Sequence, residues 1–419
     1  MTGTSESRPF TQQRWFGVSE IGFTEQRANR VSIAYWLLLV FLALLYSNLP
    51  LLMPSLEAIR PAKLVAGAAL IMLLVETVFA RKSFEFAWPE GFLLLGFLGS
   101  AALSSLTALW VRQAVEAVSD LMKIALVYFF IVNCANTERR LRGVMWTMII
   151  GGLFPATGVL RNYFQGNLVE GRAAWVGIFG NPNDLAYSLV ILLPLAAFLA
   201  TGLRPLPRLA LAGISMAYVA AIFVTFSRGG AVGLVAVTGL YAWRKKSVWL
   251  QGLMVLLLAA GLILAGRFWT RSEDFSHLNG DVSFRQRWAT SQAGLAMFAD
   301  HPLLGVGLGC SVIAWPLYAP QDLYTRTALV THNTFIQPLA ETGIAGFVPF
   351  ILFVGFGLYY ARKLALESSD NGLANLGAGL EISLWGFVIC GLSGPYALSW
   401  FPYILVGLVS AARRIARAR

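Results

Sequence analysis

The sequence predicts an all-α polytopic membrane protein with about twelve transmembrane helices and one large outer loop that contains an amphipathic helix. Three observations support this class. Of the 419 residues, 57% are hydrophobic and 13% are charged, and the mean hydropathy is +0.66. Apolar runs long enough to cross a bilayer recur along the chain, and basic residues are concentrated in alternate connections. Soluble, disordered and disulfide-framework proteins are poor fits to this composition.

The predicted spans follow from the apolar runs, because a bilayer-spanning helix needs roughly 20 mostly apolar residues. These runs occupy residues 31–49, 62–80, 91–109, 120–135, 143–161, 183–202, 209–226, 229–243, 248–266, 338–361, 376–392 and 398–412. The first run follows a polar segment and no small-x-small cleavage site comes after it, so it is not a cleavable signal.

Basic residues predict the orientation. If the tail at residues 1–30 is cytoplasmic, 20 of the 32 Lys and Arg residues lie on the cytoplasmic side and 11 lie outside. Spans one to nine then occupy 31–266 and spans ten to twelve occupy 338–412, so the basic tail 413–419 is cytoplasmic as well. The net charge of +11 is explained mainly by topology, and we expect no nucleic-acid partner.

The outer loop, residues 267–337, is long enough to be functional. Within it, Ser283–Phe298 reads as an amphipathic helix whose apolar face carries Phe284, Trp288, Leu295 and Phe298. Two arrangements are open: the helix lies on the membrane surface, or it packs on top of the bundle.

All three histidines fall in this loop, and histidine is the usual general acid or base near neutral pH. His277 has no supporting neighbours and is interpreted as a surface residue. His301 precedes a proline at the end of the amphipathic helix, where a helix-terminus role is favoured. His332 is the candidate catalytic residue.

The segment after His332 predicts a helix mouth at the membrane surface. Pro338 can be the first helical residue, which places Glu341 in the first turn, where a carboxylate suits the helix dipole. Gly343 and Gly346 would let another backbone approach closely. The structural alternative is an interfacial histidine next to a capping glutamate, and the spacing alone does not decide between them.

Arginines on the same face form a second group. Arg228 separates two hydrophobic runs with almost no loop, so it is either a partnered functional residue or a snorkelling side chain in a tight turn. Asn181 and Asn183 precede the next helix, which Asn183 could cap. Guanidinium groups bind phosphate oxygens in pairs. The predicted cationic pocket for a lipid-carrier diphosphate is formed by Arg172, Arg228, Arg285 and Arg287.

Several common chemistries are missing from the sequence. It contains no Gly-Lys-Ser/Thr phosphate loop, no His-Glu-x-x-His motif and no outer Asp-x-Asp pair. The glycines of Leu304–Gly309 follow no predicted strand and are interpreted as a turn. We therefore expect no metal and no cofactor, with arginine neutralising the phosphate charge.

Four stretches together resemble the O-antigen ligase/polymerase family, which contains lipopolysaccharide O-antigen ligases, repeat-unit polymerases and bacterial O-oligosaccharyltransferases. They are Gly177–Leu185, Phe226–Gly230, Arg287–Gly307 and His332–Gly346. The last carries the most telling signature, a His-Asn opening followed by Glu-x-Gly-x-x-Gly. The motifs span residues 170–350.

The resemblance implies a multi-pass protein of the bacterial inner membrane with a periplasmic active site in and around the outer loop. Enzymes of this family take a glycan from undecaprenyl diphosphate and move it to an acceptor hydroxyl. His332 matches the essential histidine, and Arg228 matches one diphosphate-contacting arginine. Arg287 is the best match for a second, with Arg285 as the alternative. We expect Glu341 to orient the histidine, and Asn333 to support it.

The expected activity is that of a metal-independent inverting glycosyltransferase, with O-antigen ligation to lipid A-core as the leading hypothesis. Two alternatives within the family are a repeat-unit polymerase of O-antigen or exopolysaccharide and a protein O-oligosaccharyltransferase. A lipid-linked glycan transporter is the alternative from another class. Membrane lipids are expected partners in every case. A transporter should place charged residues near the bilayer midplane, whereas the polar residues here cluster on one face.

Overall fold

The computed structural model describes residues 32–79, 83–169, 171–246, 252, 282–320 and 329–419. These residues form α-helices, two short 3₁₀ turns and one isolated bridge between Val169 and Arg172. The helices are α1 (Ile33–Ser47), α2 (Pro54–Ile59), α3 (Pro61–Phe79), α4 (Glu90–Ser104), α5 (Val111–Cys134), α6 (Glu138–Phe164), α7 (Pro182–Leu199), α8 (Pro205–Val224), α9 (Arg228–Lys245), α10 (Val282–Asp300), α11 (Ser311–Tyr318), α12 (Ile336–Glu367), α13 (Asn371–Gly391) and α14 (Trp400–Arg417).

The all-helical prediction is confirmed for the described part of the chain. Each predicted run there coincides with a helix, while the ninth run, 248–266, and His277 lie outside the described residues. By length and composition, six helical stretches among the described residues could cross a membrane: Ser55–Phe79, Glu138–Phe164, Pro182–Leu199, Pro205–Val224, Ile336–Glu367 and Asn371–Gly391. Helices α1 and α4 are apolar but shorter.

Helix starts follow local capping chemistry. The Thr137 hydroxyl accepts the Arg140 N–H at the start of α6, and Asp370 accepts the N–H of Gly372 at 2.7 Å at the start of α13. These side chains satisfy N–H groups that have no partner inside the helix. The centre of the bundle is formed by α7 and α13, which pack on each other, and α13 also packs on α9, α12 and α14.

Charged contacts define one end of the bundle, which we call the basic end. There Arg413 at the end of α14 pairs with Glu90 at the start of α4 at 2.7 Å. Arg419 pairs with Glu138 at the start of α6 at 2.9 Å and also with Asp370. The opposite end, which we call the site end, carries α10, α11 and the loop before α12 that contains His332.

Helix α12 is broken near its start. Gly343 has φ 59° and ψ −161°, a conformation that is essentially restricted to glycine. The N–H groups of Val306 and Gly307 donate to carbonyls just before the break, and the carbonyls of residues 302–303 accept N–H groups just after it. The backbone groups released by the break are therefore satisfied by the loop between α10 and α11.

The start of α12 differs from the predicted helix mouth, in which Pro338 was the first helical residue. Helix α12 begins at Ile336, so Pro338 is its third residue and Glu341 its sixth, outside the first turn. The close approach predicted at Gly343 is present, because a Cβ there would collide with the Leu303 backbone. At Gly346 the nearest group is instead the side chain of Thr342 in the same helix.

The amphipathic helix exists as α10, but its buried face differs from the predicted one. It packs on α11 and α12 through Ala289, Ala293 and Met297, each 1% exposed. Trp288 is 60% exposed and Leu295 is 49% exposed. Small side chains allow close packing on the bundle, so this helix sits on the bundle with large apolar groups facing outwards.

Candidate functional site

The His332 loop is held from two sides at the site end. The backbone N–H of His332 donates to the hydroxyl of Thr290 on α10 at 3.4 Å. The backbone N–H of Thr334 donates to the Gly391 carbonyl at 2.8 Å, and its hydroxyl donates to the Gly394 carbonyl at 2.7 Å. These bonds fix the half-buried histidine between α10 and the loop that follows α13.

Asn333 organises the start of α12. Its side-chain oxygen accepts the N–H groups of Phe335 at 2.8 Å and Ile336 at 3.1 Å. Its carbonyl accepts the N–H of Gln337 at 3.0 Å. The asparagine that follows the histidine therefore sets the direction in which the loop enters the helix.

The environment of His332 favours its neutral form. Burial lowers the pKa of the imidazole to about 4, and the positive charge of Arg287 contributes in the same direction. At neutral pH the ring is uncharged and can accept a proton. A neutral imidazole is the form that a general base requires.

Arg287 and Arg285 have different surroundings, although only two positions separate them on α10. Arg287 is half-buried and acts electrostatically on both His332 and Tyr187, whereas Arg285 is exposed. Thr290, which binds the His332 backbone, lies three residues after Arg287 and thus on the same helix face. The geometry favours Arg287 as the arginine that belongs with the histidine.

Arg228 is the first residue of α9, and Ser227 caps this helix by accepting the Gly230 N–H at 3.1 Å. The glycines after Arg228 make room for α7. A Cβ at Gly229 would collide with the Tyr187 hydroxyl, which lies 2.6 Å from the Ser393 hydroxyl. Tyr187 thus packs against the start of α9, and the positive charge of Arg287 acts on its phenol.

Arg172 ties three segments together. Its Nη2 donates to the Asn183 side chain at 2.7 Å, and its Nε donates to the Thr225 carbonyl at 2.9 Å. The Ser227 hydroxyl donates to the same Asn183 oxygen at 2.8 Å. The cap of α7 is Asn181, whose side chain accepts the Asn183 N–H at 2.8 Å, so the expected capping role of Asn183 is wrong.

Asp184 and Tyr396 form a second cross-link behind the His332 loop. The Tyr396 hydroxyl donates to the Asp184 carboxylate at 2.6 Å, and the Tyr396 N–H donates to the Thr334 hydroxyl at 2.9 Å. Burial, with the negative charge of Asp184, raises the pKa of the Tyr396 phenol well above its usual value. The phenol therefore stays protonated and keeps donating.

Glu341 lies in a different part of the site. It is 1% exposed, and its carboxylate accepts a hydrogen bond from the Ser311 hydroxyl at 2.6 Å. Among the described residues no hydrogen bond joins Glu341 to His332, so direct orientation of the ring by this carboxylate is not seen. Because its carbonyl also accepts the Ser104 hydroxyl at 2.8 Å, residue 341 anchors the break of α12 against α4 and α11.

His301 follows the end of α10, and its N–H donates to the Met297 carbonyl at 3.0 Å, as expected for a helix-terminus residue. The glycines at 305, 307 and 309 all have positive φ and form the predicted turn.

Sequence reasoning missed the residues that connect the site. Tyr187, Ser393, Tyr396 and Thr290 join the histidine loop to α7, α9 and α10. The loop after α13 was available as a signal, since Gly391–Tyr396 is rich in Gly, Ser and Pro and follows a span that the sequence predicts to end on the outer face.

Together these contacts gather a neutral imidazole and basic side chains at one end of a helical bundle. Such a site can accept a proton from a hydroxyl and stabilise negative charge that develops nearby. Within the described ranges, no carboxylate pairs with the Arg287 guanidinium. This positive charge is therefore not cancelled by a described neighbour.

Comparison with known proteins agrees with this description. Residues 211–351 match the family model described as O-antigen ligase. The exopolysaccharide production protein ExoQ of Rhizobium meliloti (strain 1021) is 24% identical over 264 residues, which is 59% of this chain and 61% of the relative. The chain thus spans about three fifths of the length of that curated relative.

The chain is also similar to one chain of a solved structure. That structure is titled "Structural coordination of polymerization and crosslinking by a peptidoglycan synthase complex". Its matching chain has 16% sequence identity and a TM-score of 0.47, and the match covers 79% of this chain and 97% of that one.

The apolar helices define a multi-pass membrane protein. The O-antigen ligase match and the similarity to ExoQ support a relation to the O-antigen ligase/polymerase family. The resemblance inferred from the motifs is therefore confirmed, and three of the four motifs fall inside the matched segment.

Proposed function

We propose that the protein is a metal-independent glycosyltransferase that moves a glycan from undecaprenyl diphosphate to an acceptor hydroxyl on the periplasmic face. The observation that carries this proposal is the half-buried His332. Its backbone is bound by Thr290, three residues after Arg287 on α10, and its imidazole is kept neutral by burial and by the Arg287 charge. A base for the acceptor and a cation for the leaving diphosphate are the two groups that this transfer needs.

In the proposed step the acceptor oxygen attacks the anomeric carbon and its proton passes to His332. The bond from that carbon to the diphosphate oxygen breaks, and the diphosphate leaves with the electron pair. Arg287 and Arg228 stabilise the departing charge, with Arg285 as a peripheral contact. Direct attack inverts the anomeric centre. Arg172 and Asn183 position the turn before α9, while Glu341 holds the broken start of α12.

The acceptor is proposed from the relatives. ExoQ is named for exopolysaccharide production, which favours a growing glycan as the acceptor and therefore repeat-unit polymerisation. The family model is described as O-antigen ligase, which keeps ligation to lipid A-core as the second candidate. Both reactions use the same donor and the same proton transfer, so they differ only in the hydroxyl that attacks.

The proposed membrane arrangement has twelve spans, both termini in the cytoplasm and the site end in the periplasm of the inner membrane. The concentration of basic residues at the opposite end supports it. Charged cross-helix pairs such as Arg413–Glu90 and Arg244–Glu381 lie at that basic end.

A reconstituted transfer assay tests the reaction and the acceptor together. Purified protein receives a lipid diphosphate-linked glycan, either alone or with lipid A-core. Longer lipid-linked chains from the donor alone indicate a polymerase, and modified lipid A-core indicates a ligase. We expect His332→Ala to lower the rate by about 10²–10⁴-fold in whichever reaction occurs.

The matched control is His301→Ala, which changes a histidine of the same loop that lies after α10. It should transfer at close to the wild-type rate. If His332→Ala also transfers at that rate while remaining folded, His332 is not the base and the proposed function loses its reaction centre.

A further inference from the structure

A cavity of about 400 Å³ lies at the basic end, on the opposite side of the bundle from His332. It is formed where the ends of α12 and α14 meet the start of α13. Its volume falls within the range of about 300–1,000 Å³ that is typical of small-molecule sites. The proposed transfer reaction makes no use of it.

The walls of this cavity are more basic than acidic. Basic side chains are contributed by Lys363, Arg413, Arg417 and Arg419, and acidic ones by Glu367 and Asp370. Arg419 pairs with Asp370, and Lys363 lies 3.6 Å from Glu367. Arg417 is exposed and forms no ion pair within the described ranges. The cavity therefore presents excess positive charge to a guest.

Arg413 lies in the wall of the cavity and is mostly buried. Its side chain is only 10% exposed, and its guanidinium stacks 3.9 Å from the centre of the Tyr360 ring. Nη2 donates to Glu90 at 2.7 Å and to the Trp88 carbonyl at 2.6 Å. Nη1 is buried and has no acceptor in the described part of the chain. Glu90, which pairs with Arg413, is not among the residues that line the cavity.

The surroundings indicate where an anionic guest comes from. Near the cavity, Tyr359 is 54% exposed and Leu366 is 67% exposed on α12, a helix long and apolar enough to span a membrane. Exposed tyrosines are typical of the level at which lipid headgroups lie. Basic pockets between transmembrane helices at this level bind phosphate headgroups of anionic lipids.

We propose that this cavity binds the phosphate of an anionic lipid headgroup. Lys363 and Arg417 contact the phosphate from the open side, and the guanidinium charge of Arg413 lies in the buried wall behind it. The guest thereby joins α12 to α14 at the end of the bundle away from the transfer site.

The test uses the full-length protein in mixed phosphatidylcholine and phosphatidylglycerol, with retained lipids counted by native mass spectrometry. The variant is Lys363→Gln/Arg417→Gln, which leaves the Arg413–Glu90 pair intact. The matched control is Arg139→Gln/Lys246→Gln, which removes two exposed charges from the basic end outside the cavity. We expect the wild type and control to retain phosphatidylglycerol preferentially. The cavity variant should lose about fivefold of that preference per residue changed.

An undiminished preference in the cavity variant, or an equal loss in both variants, would overturn the proposal. A second arm adds inorganic phosphate to lipid-depleted protein and measures thermal unfolding. If phosphate alone stabilises the wild type as much as phosphatidylglycerol does, the site takes a free anion and the lipid assignment is wrong.

Discussion

The two ends of the bundle use polar side chains in opposite ways. At the basic end, carboxylates meet guanidinium groups across helices, as in Glu90 with Arg413 and Glu381 with Arg244. At the site end, the described cross-links are made mainly by hydroxyl and phenol groups, such as Tyr187 with Ser393. One end pairs its buried charges across helices, whereas the other holds a neutral histidine near a charge that no described carboxylate cancels.

From this difference we expect the residues that determine stability and those that determine activity to lie at opposite ends of the bundle. A buried ion pair fixes helix ends but leaves an uncompensated charge when one partner is removed. An arginine that faces a neutral histidine contributes less to folding and remains available to a substrate. Substitutions at the basic end should therefore change unfolding, and substitutions at the site end should change turnover.

The largest expected effect is on stability, at the basic end. Glu90→Gln keeps the shape of a fully buried side chain but leaves the Arg413 charge without its partner. We expect the free energy of unfolding to fall by about 3–5 kcal/mol, measured by denaturation in detergent. Transfer activity per folded molecule should stay near the wild-type value.

The control for this change is Arg112→Gln, which breaks an exposed pair with Glu116 whose side chains are 84% and 59% exposed. Exposed pairs contribute at most about 1 kcal/mol, so this variant should unfold like the wild type. If the two substitutions lower the free energy of unfolding equally, the buried Glu90–Arg413 pair contributes no more to stability than an exposed pair does.

The next effect is on turnover, at the site end. Arg287→Gln removes the charge that acts on His332, and we expect a loss of about 10²–10³-fold in kcat, as for removal of one oxyanion-stabilising group. Arg285→Gln, on the exposed side of the same helix, should lose less than about tenfold, since an exposed charge is screened. Steady-state rates in the reconstituted assay compare the two.

We also expect both arginine variants to keep the wild-type free energy of unfolding, because residues at the site end should affect activity and not stability. An Arg285→Gln loss as large as that of Arg287→Gln would instead move the diphosphate contact to the exposed face of α10.

The positions of most helices were predictable, because a long apolar run indicates a segment that is buried in lipid or in the bundle. The run at 143–161, for example, lies inside α6, and that at 183–202 overlaps α7. The exposed face of α10 was not predictable, since it depends on what the helix packs against. The face that carries Ala289 and Ala293 packs closely on the bundle and is buried, and Trp288 on the opposite face is exposed.

The site was predictable only in part, for a related reason. His332 and Arg287 stand out because imidazole and guanidinium groups are rare on a mostly apolar chain. The break at Gly343 was not foreseen, because its backbone groups are satisfied by a loop some 40 positions earlier. Likewise, the bond between Asp184 and Tyr396 joins residues 212 positions apart, and no local pattern marks such a pair.

The smallest expected effect is a shift in the pH dependence, and it separates the two causes of the low His332 pKa. Burial and the Arg287 charge both lower this pKa, to about 4. The neutral, base-competent form is therefore present above about pH 4 and is lost as the pH falls through that value. The acid limb of kcat/KM, which reports the free enzyme, should lie near pH 4.

A histidine with the ordinary pKa near 6.5 would already lose about tenfold in kcat/KM at pH 5.5, so a flat wild-type profile between pH 5.5 and 7 is the diagnostic result. In Arg287→Gln the limb should move upward, because one of the two causes is removed. It should stay below 6.5, because burial is the larger cause and remains. A wild-type limb near pH 6.5 would mean that the imidazole is open to water and is not held in its neutral form by burial and the Arg287 charge. The proposed difference between the two ends of the bundle would then be wrong for His332.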